Sequence, residues 1–434
     1  MSSVTIGTGR IRFSSGWRSP ETSSIDHERN EMTDVFLVDG VRSAIGKYGG
    51  SLSQTRADDL AAGILRSLLE RHPALDRGTI DDVYLGCANQ AGEDNRNIAR
   101  MALLLADIPD TVPGVTINRL CASGMSAVAE ATRAIQTGDG ELYVAGGVEH
   151  MTRSPYVVAK PADAFARSPQ IFDTTLGWRF ANPIMKRLYG TDSMGETAEI
   201  VAERFNVSRE DQDQLAYLSH AKAARATTSG RLSREIVPVL VPSEKQAARE
   251  FSHDEAIRTD TSIEKLSKLA PVFRKDGLGS VTAGNSSGIN DGACALLLAS
   301  SRSAERNSLK PIARIVATAV AGVEPRIMGT GPIPATRKVL ARSGLNLDQM
   351  DIIEINEAFA VQVLACTREF GMKDEDPRLN PNGGAIALGH PLGMSGARLI
   401  LTAAHELQLK NLHYALCTMC VGVGQGMATI IERV

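Results

Sequence analysis

Apolar and polar positions along the chain fall into short blocks that predict strands followed by amphipathic helices. The strand-like run TDVFLV (33–38) precedes DDLAAGILRSLL (58–69), whose apolar residues recur with helical spacing. Further strand-like runs lie at 82–86, 115–117 and 142–145, and helix-like runs lie at 97–105 and after Cys121. This alternation is typical of βαβ units, so the pattern predicts an α/β fold.

The central part of the chain departs from this alternation. Residues 152–279 are more charged and hold amphipathic helical segments at 198–204 and 211–226, which is typical of a long insertion that carries a binding loop. The last third returns to the first plan, since GMSG (393–396) opens a helix and a strand then runs into glycine at 420–422. We therefore predict two packed α/β halves with an inserted lobe.

Composition and charge narrow the class of protein. The net charge is −3, from 47 Lys and Arg against 50 Asp and Glu, which argues against a nucleic-acid-binding protein. The longest uncharged runs, 379–397 and 411–431, are rich in glycine and unlike a membrane-spanning helix. Six cysteines are too few for a disulfide framework in a chain of 434 residues. We expect a cytoplasmic protein that binds neither nucleic acid nor membrane.

The first 32 residues differ from the rest of the chain. They are rich in serine, contain Arg10, Arg12 and Arg18, and show no apolar periodicity, while several acidic residues argue against an organelle transit peptide. We predict that 1–32 is a disordered extension, or that translation starts at Met32.

Cys121, in NRLCASGM (118–125), lies between a strand-like run and a helix-like run. Unpaired N–H groups and the dipole at a helix start favour a thiolate and stabilise an oxyanion, so Cys121 is a candidate nucleophile. The alternative is a buried structural cysteine. His390 lies in a loop of glycine and proline, GHPLGMSG (389–396), just before a helix. A histidine in such a loop fits a base that activates the cysteine.

Two further motifs carry polar groups after strand-like runs. Cys420 begins CVGVGQG (420–426), and too few residues follow this motif for a dinucleotide-binding unit. A second cysteine at a glycine-rich strand end is instead a candidate for proton transfer. Asn356 begins NEAFA (356–360), and its alternative role is a helix N-cap. Cys417 and Cys420 form a C-x-x-C without a second pair, so we expect no structural zinc site.

These four motifs, in their order along the chain, resemble those of the thiolase family, and the resemblance covers residues 33–434. The resemblance implies that Cys121 accepts the acyl group, that His390 activates it, and that Cys420 moves a proton at the acetyl methyl group. It also implies that Asn356 holds a water in one oxyanion hole, to which His390 contributes. The backbone N–H groups of Gly422 and Cys121 would form the second hole.

The resemblance further implies a fold and a set of domains. Family members have two similar βαβαβαββ halves that form a layered α/β/α/β/α core, with an inserted loop domain that binds coenzyme A. We expect the N-terminal half at 33–151 plus 280–300, the loop domain at 152–279 and the C-terminal half at 301–434. We also expect a homo-oligomer, a tetramer built as a dimer of dimers.

Coenzyme A is expected as a substrate, with no permanently bound cofactor and no metal. The resemblance places Ser287 and Ala283, in TAGNSSGINDG (282–292), near the pantetheine, and Arg258 near the adenosine phosphate. The alternative for Arg258 is a solvated run of charges. The other residues that the resemblance assigns to the coenzyme A tunnel are Leu269, Phe273, Ala358 and Phe359.

Some features bear on the acyl substrate. Val423 stands where the second-cysteine motif usually has glycine, and Ser193 precedes Met194-Gly195 where short-chain enzymes have histidine. The stretches 86–106, 173–194 and 417–426 resemble in particular the 3-oxoadipyl-CoA thiolases of aromatic degradation. A dicarboxylic acyl chain needs a cationic partner, and the candidates in the middle stretch are Arg179, Lys186 and Arg187.

Three alternatives stay open at this point. A general acetyl-CoA acetyltransferase or 3-ketoacyl-CoA thiolase of fatty-acid metabolism has the same reacting groups. A decarboxylating ketosynthase pairs its cysteine with two histidines, whereas Asn356 stands where one of them is expected. A non-catalytic coenzyme A-binding protein has no need of Cys121, His390 and Cys420 together. The resemblance of the stretches 86–106, 173–194 and 417–426 implies, as the main expectation, cleavage of 3-oxoadipyl-CoA to succinyl-CoA and acetyl-CoA.

Overall fold

The computed structural model describes residues 33–242 and 247–434, and the extension predicted at 1–32 lies outside them. The strands are β1 (Val35–Arg42), β2 (Gly46–Lys47), β3 (Asp82–Gly86), β4 (Gly114–Ile117), β5 (Leu142–His150), β6 (Tyr156–Val158), β7 (Ile171–Asp173), β8 (Val239–Val241), β9 (Arg249–Phe251), β10 (Asn290–Ser300), β11 (Ala313–Gly322), β12 (Ile352–Ile355), β13 (Tyr414–Val421) and β14 (Gln425–Arg433). The α-helices are α1 (Ala57–Glu70), α2 (Ile98–Leu105), α3 (Ser123–Thr137), α4 (Pro183–Tyr189), α5 (Met194–Phe205), α6 (Arg209–Thr228), α7 (Ile263–Ser267), α8 (Ser301–Arg306), α9 (Pro332–Ser343), α10 (Ala360–Glu369), α11 (Ala385–Leu388) and α12 (Leu392–Lys410). Within the described ranges, no helix has both the length and the apolar character needed to cross a membrane.

The strands of the N-terminal half lie in the order β4-β3-β5-β10-β1. β3 pairs in parallel with β4 and β5, while β10 pairs antiparallel with β5 and β1. Helices cover both faces of this region, so β5 and β10 are buried along their whole length. The strand predicted at 142–145 extends to His150, because its pairing with β10 continues to that residue. All residues of the longer strand are buried.

The C-terminal half repeats this order as β12-β13-β14-β11. β12 and β13 are parallel, and β14 is antiparallel to both β13 and β11. A parallel bridge between Ile353 and Leu379 lies beside β12, at the position that β4 occupies beside β3. β1 and β11 pair antiparallel, which joins the two halves into one sheet. The prediction of two similar α/β halves is confirmed.

Helices divide the core into layers. α3 and α12 pack against each other and against strands of both halves, so they form the central layer. α1 and α2 cover the outer side of the N-terminal half, and α9 and α10 cover that of the C-terminal half. Three apolar clusters fill the spaces between layers, with Met125 and Leu399 buried in the central one. The predicted α/β/α/β/α arrangement follows from this packing.

The segment between β5 and β10 adds a hairpin of β6 and β7, a pair of β8 and β9, and helices α4 to α7. α5 and α6 pack against α10 of the C-terminal half. Serine caps start both helices, because Ser193 and Ser208 accept N–H hydrogen bonds from their first turns. The two helices predicted in this segment therefore begin earlier than their apolar positions indicate. The bounds of the three predicted domains stay a prediction.

Cys417 and Cys420 are both buried in β13, but they point to opposite sides of the sheet. Residues three positions apart on a strand alternate faces. Cys417 lies in the central apolar cluster and donates to the Leu399 carbonyl, whereas Cys420 lies in the outer cluster of the C-terminal half. This C-x-x-C is therefore not a chelating pair.

Candidate active site

Cys121 lies in the turn between β4 and α3, at the edge of a cavity. Leu120, the preceding residue, has a φ of 47°, which is uncommon for a residue with a side chain. Ser123 holds the turn, since its hydroxyl accepts from the Arg119 N–H (2.9 Å) and donates to the Leu120 carbonyl (2.6 Å). Cys121 is partly exposed, whereas the other five cysteines are buried. Cys121 is therefore the most accessible of the six cysteines.

Glycines let the first turns of the two central helices approach closely. A Cβ on Gly124 would lie 2.5 Å from the Gly393 carbonyl oxygen, and a Cβ on Gly396 would lie 2.6 Å from the Met125 backbone nitrogen. Neither position accepts a side chain without a backbone shift. The helix that follows Cys121 therefore packs directly on the helix that follows His390.

His390 is buried in the loop before α12, where hydrogen bonds fix its position. Its backbone N–H donates to Asn290 Oδ1 (3.0 Å), and its Nδ1 lies 2.7 Å from the Ser395 hydroxyl oxygen. Ser395 donates its single proton to the Pro391 carbonyl (2.7 Å), so it accepts a hydrogen bond from Nδ1–H of His390. This tautomer leaves a lone pair on Nε2, as a general base requires.

Asn356 follows β12 directly and lies beside the His390 ring. Its amide nitrogen is 3.3 Å from Nε2 and 3.4 Å from Nδ1. Its Oδ1 is buried and has no hydrogen-bond partner within the described residues. α10 begins at Ala360 with Phe359 as its N-cap, so the helix-cap alternative for Asn356 is wrong. A buried, unpaired acceptor beside the base fits the expected water of an oxyanion hole.

Two pKa shifts favour the neutral forms of Cys121 and His390. Although Cys121 is partly exposed at the cavity edge, desolvation by the surrounding protein raises the pKa of its thiol to about 11, and hydrogen bonds from the N–H groups of Gly422 and Cys121 oppose the rise. Burial lowers the pKa of His390 to about 3, and the charge of Arg398 adds to this effect. Desolvation therefore opposes the thiolate that the helix start favours. A neutral thiol reacts only after a base has taken its proton, and a neutral imidazole can act as such a base.

Cys420 and Gly422 lie at and just beyond the end of β13. Burial raises the pKa of the Cys420 thiol well above its usual range, and its neighbour Cys121 adds to the rise. A Cβ on Gly422 would lie 3.1 Å from Leu120, so this turn contacts the turn of the nucleophile. Val423 has a φ of 62°, in the left-handed region that β-branched residues avoid. The backbone at Val423 therefore has a conformation that suits glycine, and this conformation is strained for valine.

A cavity of about 300 Å³, here called the acyl cavity, opens beside Cys121. Its lining is largely apolar and includes Leu120, Met151, Leu176, Trp178, Met194, Leu392 and Val423. Within the described part of the chain, Arg179 is its only basic lining residue. Lys186 and Arg187 are exposed on α4 and do not line it. The cavity has the size and character to hold a short acyl chain.

Two carboxylates also line the acyl cavity, and both have partners. Glu149 accepts three backbone N–H hydrogen bonds of 2.8 to 3.0 Å from residues of both halves. Burial raises its pKa to about 7. Asp192 forms an ion pair with Arg326 at 3.0 Å. Neither carboxylate of the cavity lining is therefore available as a partner for Arg179.

Glu149 also lies near Cys87 and Asp94, with one donor atom of each within 4.8 Å of the others. Asp94 accepts N–H hydrogen bonds from Gln90 (3.1 Å) and Gly92 (2.9 Å), and Cys87 donates to it at 3.5 Å. The carboxylate oxygens are therefore engaged in holding the loop after β3 against the core.

A second cavity, of about 380 Å³, is more polar and is here called the polar cavity. Lys47, Arg258 and His220 line it, together with Asn290. The Arg258 N–H donates to His220 Nδ1 (3.1 Å), and burial, with the charge of Arg258, lowers the pKa of His220 to about 4. Because Asn290 also accepts from the backbone of His390, the polar cavity adjoins the catalytic loop.

The residues predicted to bind coenzyme A fall into three groups. Arg258 and Ala283 line the polar cavity, and Arg258 is exposed at its rim. Ser287 donates from its N–H (3.0 Å) and its hydroxyl (3.1 Å) to the Ala358 carbonyl. The remaining three form an apolar cluster with Met194, in which the rings of Phe273 and Phe359 meet edge to face with centroids 6.4 Å apart: Leu269, Phe273 and Phe359.

Sequence reasoning missed three residues that shape the site. Ser395 stands within the quoted GHPLGMSG motif, and its signal is a serine one helical turn after His390. Glu149 is an acidic residue inside a buried strand, which is itself a signal of an engaged carboxylate. Asn290 gave no local signal, because its partner His390 is 100 residues away in the sequence.

A layered α/β core that sets a thiol and a neutral imidazole beside an apolar cavity has the fold and the groups of a cysteine-dependent acyltransferase. The family description "Thiolase, N-terminal domain" matches residues 35–302, and "Thiolase, C-terminal domain" matches residues 309–433. The chain belongs to the thiolase family, which confirms the resemblance of its motifs. It is an acyltransferase, and thiolases use coenzyme A as a substrate.

Individual relatives are similar over nearly the whole described chain. The 3-oxoadipyl-CoA/3-oxo-5,6-dehydrosuberyl-CoA thiolase of Escherichia coli (strain K12) is 60% identical over 403 residues, or 93% of this chain and 100% of the relative. A beta-ketoadipyl-CoA thiolase of Pseudomonas knackmussii is 57% identical over 92% of this chain and 99% of its own. The crystal structure of the Bacillus anthracis acetyl-CoA acetyltransferase is 41% identical with a TM-score of 0.86, covering 93% and 99% of the two chains. The fold class is confirmed, and the roles of individual residues stay predictions.

Proposed function

We propose that this protein cleaves 3-oxoadipyl-CoA with coenzyme A and forms succinyl-CoA and acetyl-CoA. The acyl cavity carries this proposal, because it offers a short chain largely apolar walls and, among the described residues, one basic residue in a cavity that Cys121 also lines. The 3-oxoadipyl chain ends in a carboxylate, which a cation binds through charge-assisted hydrogen bonds. The names of the relatives at 60% and 57% identity support the same substrate.

The first half-reaction transfers the succinyl group to Cys121. Its sulfur attacks the 3-oxo carbon, and its proton passes to Nε2 of His390. The N–H groups of Gly422 and Cys121, which hydrogen bond to the sulfur at rest, stabilise the oxyanion that forms on the attacked carbonyl. The bond between C2 and C3 then breaks, and its electron pair remains on C2 as the enolate of acetyl-CoA.

Proton transfer by Cys420 completes this step. His390, with a water held by Asn356, stabilises the enolate oxygen, and the Cys420 thiol gives its proton to C2 so that acetyl-CoA leaves. The thiol of coenzyme A then returns a proton to Cys420, and its sulfur attacks the succinyl thioester. The Cys121 sulfur leaves with the proton that His390 held. A Cys420 thiol of raised pKa suits the reverse step, because a weaker acid has a more basic thiolate.

We further propose that coenzyme A approaches along the polar cavity, with Arg258 near its phosphates and Ser287 near its pantetheine. The apolar cluster of Leu269, Phe273 and Phe359 would flank the same path. The support is that the polar cavity carries cations and adjoins the catalytic loop. From the family resemblance we also propose a cytoplasmic tetramer built as a dimer of dimers.

Thiolysis kinetics with three substrates test the proposed function. 3-Oxohexanoyl-CoA has the chain length of 3-oxoadipyl-CoA but no terminal carboxylate, and acetoacetyl-CoA is shorter. We expect kcat/KM for 3-oxoadipyl-CoA to exceed that for 3-oxohexanoyl-CoA by about ten- to a hundredfold. Equal values for these two would instead favour a general 3-ketoacyl-CoA thiolase, and the highest value for acetoacetyl-CoA would favour an acetyl-CoA acetyltransferase.

A further inference from the structure

The acyl cavity is lined by a cationic residue that the bond-making steps leave unused, Arg179. This residue follows β7 in the inserted segment, and Leu176 and Trp178 line the same wall. Its side chain is partly buried, and the cavity that it lines also contains the Cys121 sulfur. Partial desolvation of a cation in a largely apolar cavity costs free energy, which an anionic ligand would offset.

Within the described residues, the hydrogen bonds of Arg179 go to neutral carbonyl groups and not to a carboxylate. One terminal nitrogen donates to the Asn89 carbonyl (2.8 Å), and the other lies 3.4 Å from the Thr174 carbonyl. Both acceptors are neutral, in contrast to Arg326, which pairs with the carboxylate of Asp192. A guanidinium has five N–H donors in a planar fork, so further donors of Arg179 are available to an anion.

The two carbonyls that hold Arg179 are themselves fixed. The Asn89 side-chain nitrogen donates to the Ser154 hydroxyl (2.6 Å) and to the Thr174 carbonyl (3.1 Å). The Asn89 N–H donates to Glu149 (3.0 Å), and the buried Thr174 hydroxyl donates to the Pro155 carbonyl (2.7 Å). The guanidinium is thus positioned before a ligand arrives, which reduces the entropy lost on binding.

Other charges of the region do not take this role. Lys186 and Arg187 are exposed on α4 and lie outside the cavity lining. Asp192 is neutralised by its ion pair, and the carboxylate of Glu149 already accepts three backbone N–H groups. An anion in the acyl cavity therefore meets Arg179 as its basic partner.

We propose that Arg179 binds the terminal carboxylate of the acyl group while that group is attached to Cys121. This inference rests on the proposed function. In the succinyl thioester the carboxylate lies two methylene groups beyond the carbonyl carbon, so it remains in the cavity that holds both the sulfur and the guanidinium. A planar guanidinium meets a carboxylate through two parallel hydrogen bonds, whereas a chain that ends in a methyl group leaves the cation unpaired.

Three variants test the assignment. Arg179→Gln removes the charge but keeps an amide that can donate to a carbonyl, and Arg179→Lys keeps the charge but loses the fork. Arg187→Gln is the matched control, because it removes one positive charge from the same segment at an exposed position. The measured quantity is the ratio of kcat/KM for 3-oxoadipyl-CoA to that for 3-oxohexanoyl-CoA. We expect Arg179→Gln to lower this ratio about ten- to a hundredfold, Arg179→Lys to lower it less, and Arg187→Gln to change it by less than about twofold.

The outcomes separate this inference from the proposed function. A ratio near one in the unmodified protein contradicts the proposed function, and the role of Arg179 fails with it. A high ratio that survives Arg179→Gln overturns the role of Arg179 alone, and an equal loss with both substrates does the same, since it indicates a structural role. If Arg179→Gln does not fold, an unchanged ratio in Arg179→Lys overturns the inference, because the lost fork should weaken a paired carboxylate.

Discussion

The two central helices begin at the active site in different ways. α3 follows a turn in which Leu120, with a φ of 47°, precedes a partly exposed sulfur. α12 follows a loop in which Gly389, with a φ of 113°, precedes a buried imidazole. The strand order of the two halves is the same. The candidate residues of the site, in contrast, differ between the halves. One half carries the proposed nucleophile, Cys121, and the other carries the proposed base, His390, and the second cysteine, Cys420.

On the proposed mechanism, this difference makes the two halves depend on each other. Desolvation and the charge of Glu149 raise the pKa of Cys121, which favours its thiol form. The N–H of Gly422, from the C-terminal half, and the N–H of Cys121 itself oppose this rise. If His390 takes the proton of Cys121, as we propose, activation depends on groups from both halves rather than on one helix terminus.

Removal of the sulfur from the N-terminal half has the largest expected effect. We expect Cys121→Ala to lower thiolysis at least about ten-thousandfold, because the covalent route is then lost. Mass spectrometry of the protein after incubation with acyl-CoA should show no label. Cys294→Ala, at a buried position in β10, is the control and should keep the label. An acyl group on another cysteine of the unmodified protein would contradict the assignment.

Cys420→Ser should separate the roles of the two halves. Acylation of Cys121 by acetyl-CoA should persist, whereas overall thiolysis should fall about a hundred- to ten-thousandfold, because a hydroxyl is a poor proton-transfer group here. Exchange of the acetyl methyl protons with deuterated solvent measures the step directly. Cys417→Ser, on the opposite face of β13, should retain exchange. Normal exchange in Cys420→Ser would remove this residue from the mechanism.

Ser395→Ala tests how the C-terminal half orients its base. Without the hydroxyl, Nδ1–H of His390 loses its acceptor, so the ring can turn or adopt the other tautomer. We expect kcat to fall about ten- to a hundredfold with little change in KM, as for loss of an orienting partner. Ser395→Thr restores a hydroxyl and should recover part of the loss. A kcat that is unaffected by Ser395→Ala would show that the ring is held by other contacts.

The low pKa of His390 also predicts a loss of stability in acid. An unfolded histidine binds a proton near pH 6.5, whereas the folded residue does so only near pH 3, so the unfolded state is favoured as the pH falls between these values. One such group lowers the free energy of unfolding by about 2 kcal/mol between pH 7 and pH 5. Denaturant unfolding should therefore lose less stability over this range in His390→Gln. Equal losses would mean that folded His390 is already protonated at pH 5.

The sequence indicated the candidate residues of the site more clearly than the cavity around them. Cys121, His390 and Cys420 lie in short motifs whose glycines and prolines mark strand ends and helix starts. Their protonation states were not predictable, because burial depends on tertiary packing. The choice of Arg179 over its two neighbouring cations was equally hidden, since it rests on the Asn89 carbonyl, 90 residues earlier in the chain. Local motifs reveal groups, whereas partners distant in sequence decide what those groups do.

The smallest expected effect concerns two strained residues that come from opposite halves. Leu120 precedes Cys121 and Val423 follows Gly422. Both residues have a positive φ, in the left-handed region of backbone conformation that residues with side chains rarely adopt. For Val423 this conformation costs roughly 1–2 kcal/mol, whereas glycine adopts it without a clash but has about 0.5–1 kcal/mol more conformational entropy to lose on folding. Val423 is 38% exposed, so its removal sacrifices little burial. We expect Val423→Gly to stabilise the protein by about 1 kcal/mol or less in equilibrium denaturation.

The matched control for this prediction is Val421→Gly, the same chemical change two residues earlier. Val421 is fully buried at the end of β13 and has no positive φ, so glycine there loses apolar contacts without relieving strain. We expect it to destabilise the protein by at least about 2 kcal/mol. If Val423→Gly destabilises to a similar extent, packing of Val423 in the acyl cavity outweighs the strain of its backbone. Opposite signs at the two positions would mean that the second-cysteine turn keeps a glycine-like path, with the valine side chain retained as part of the cavity wall.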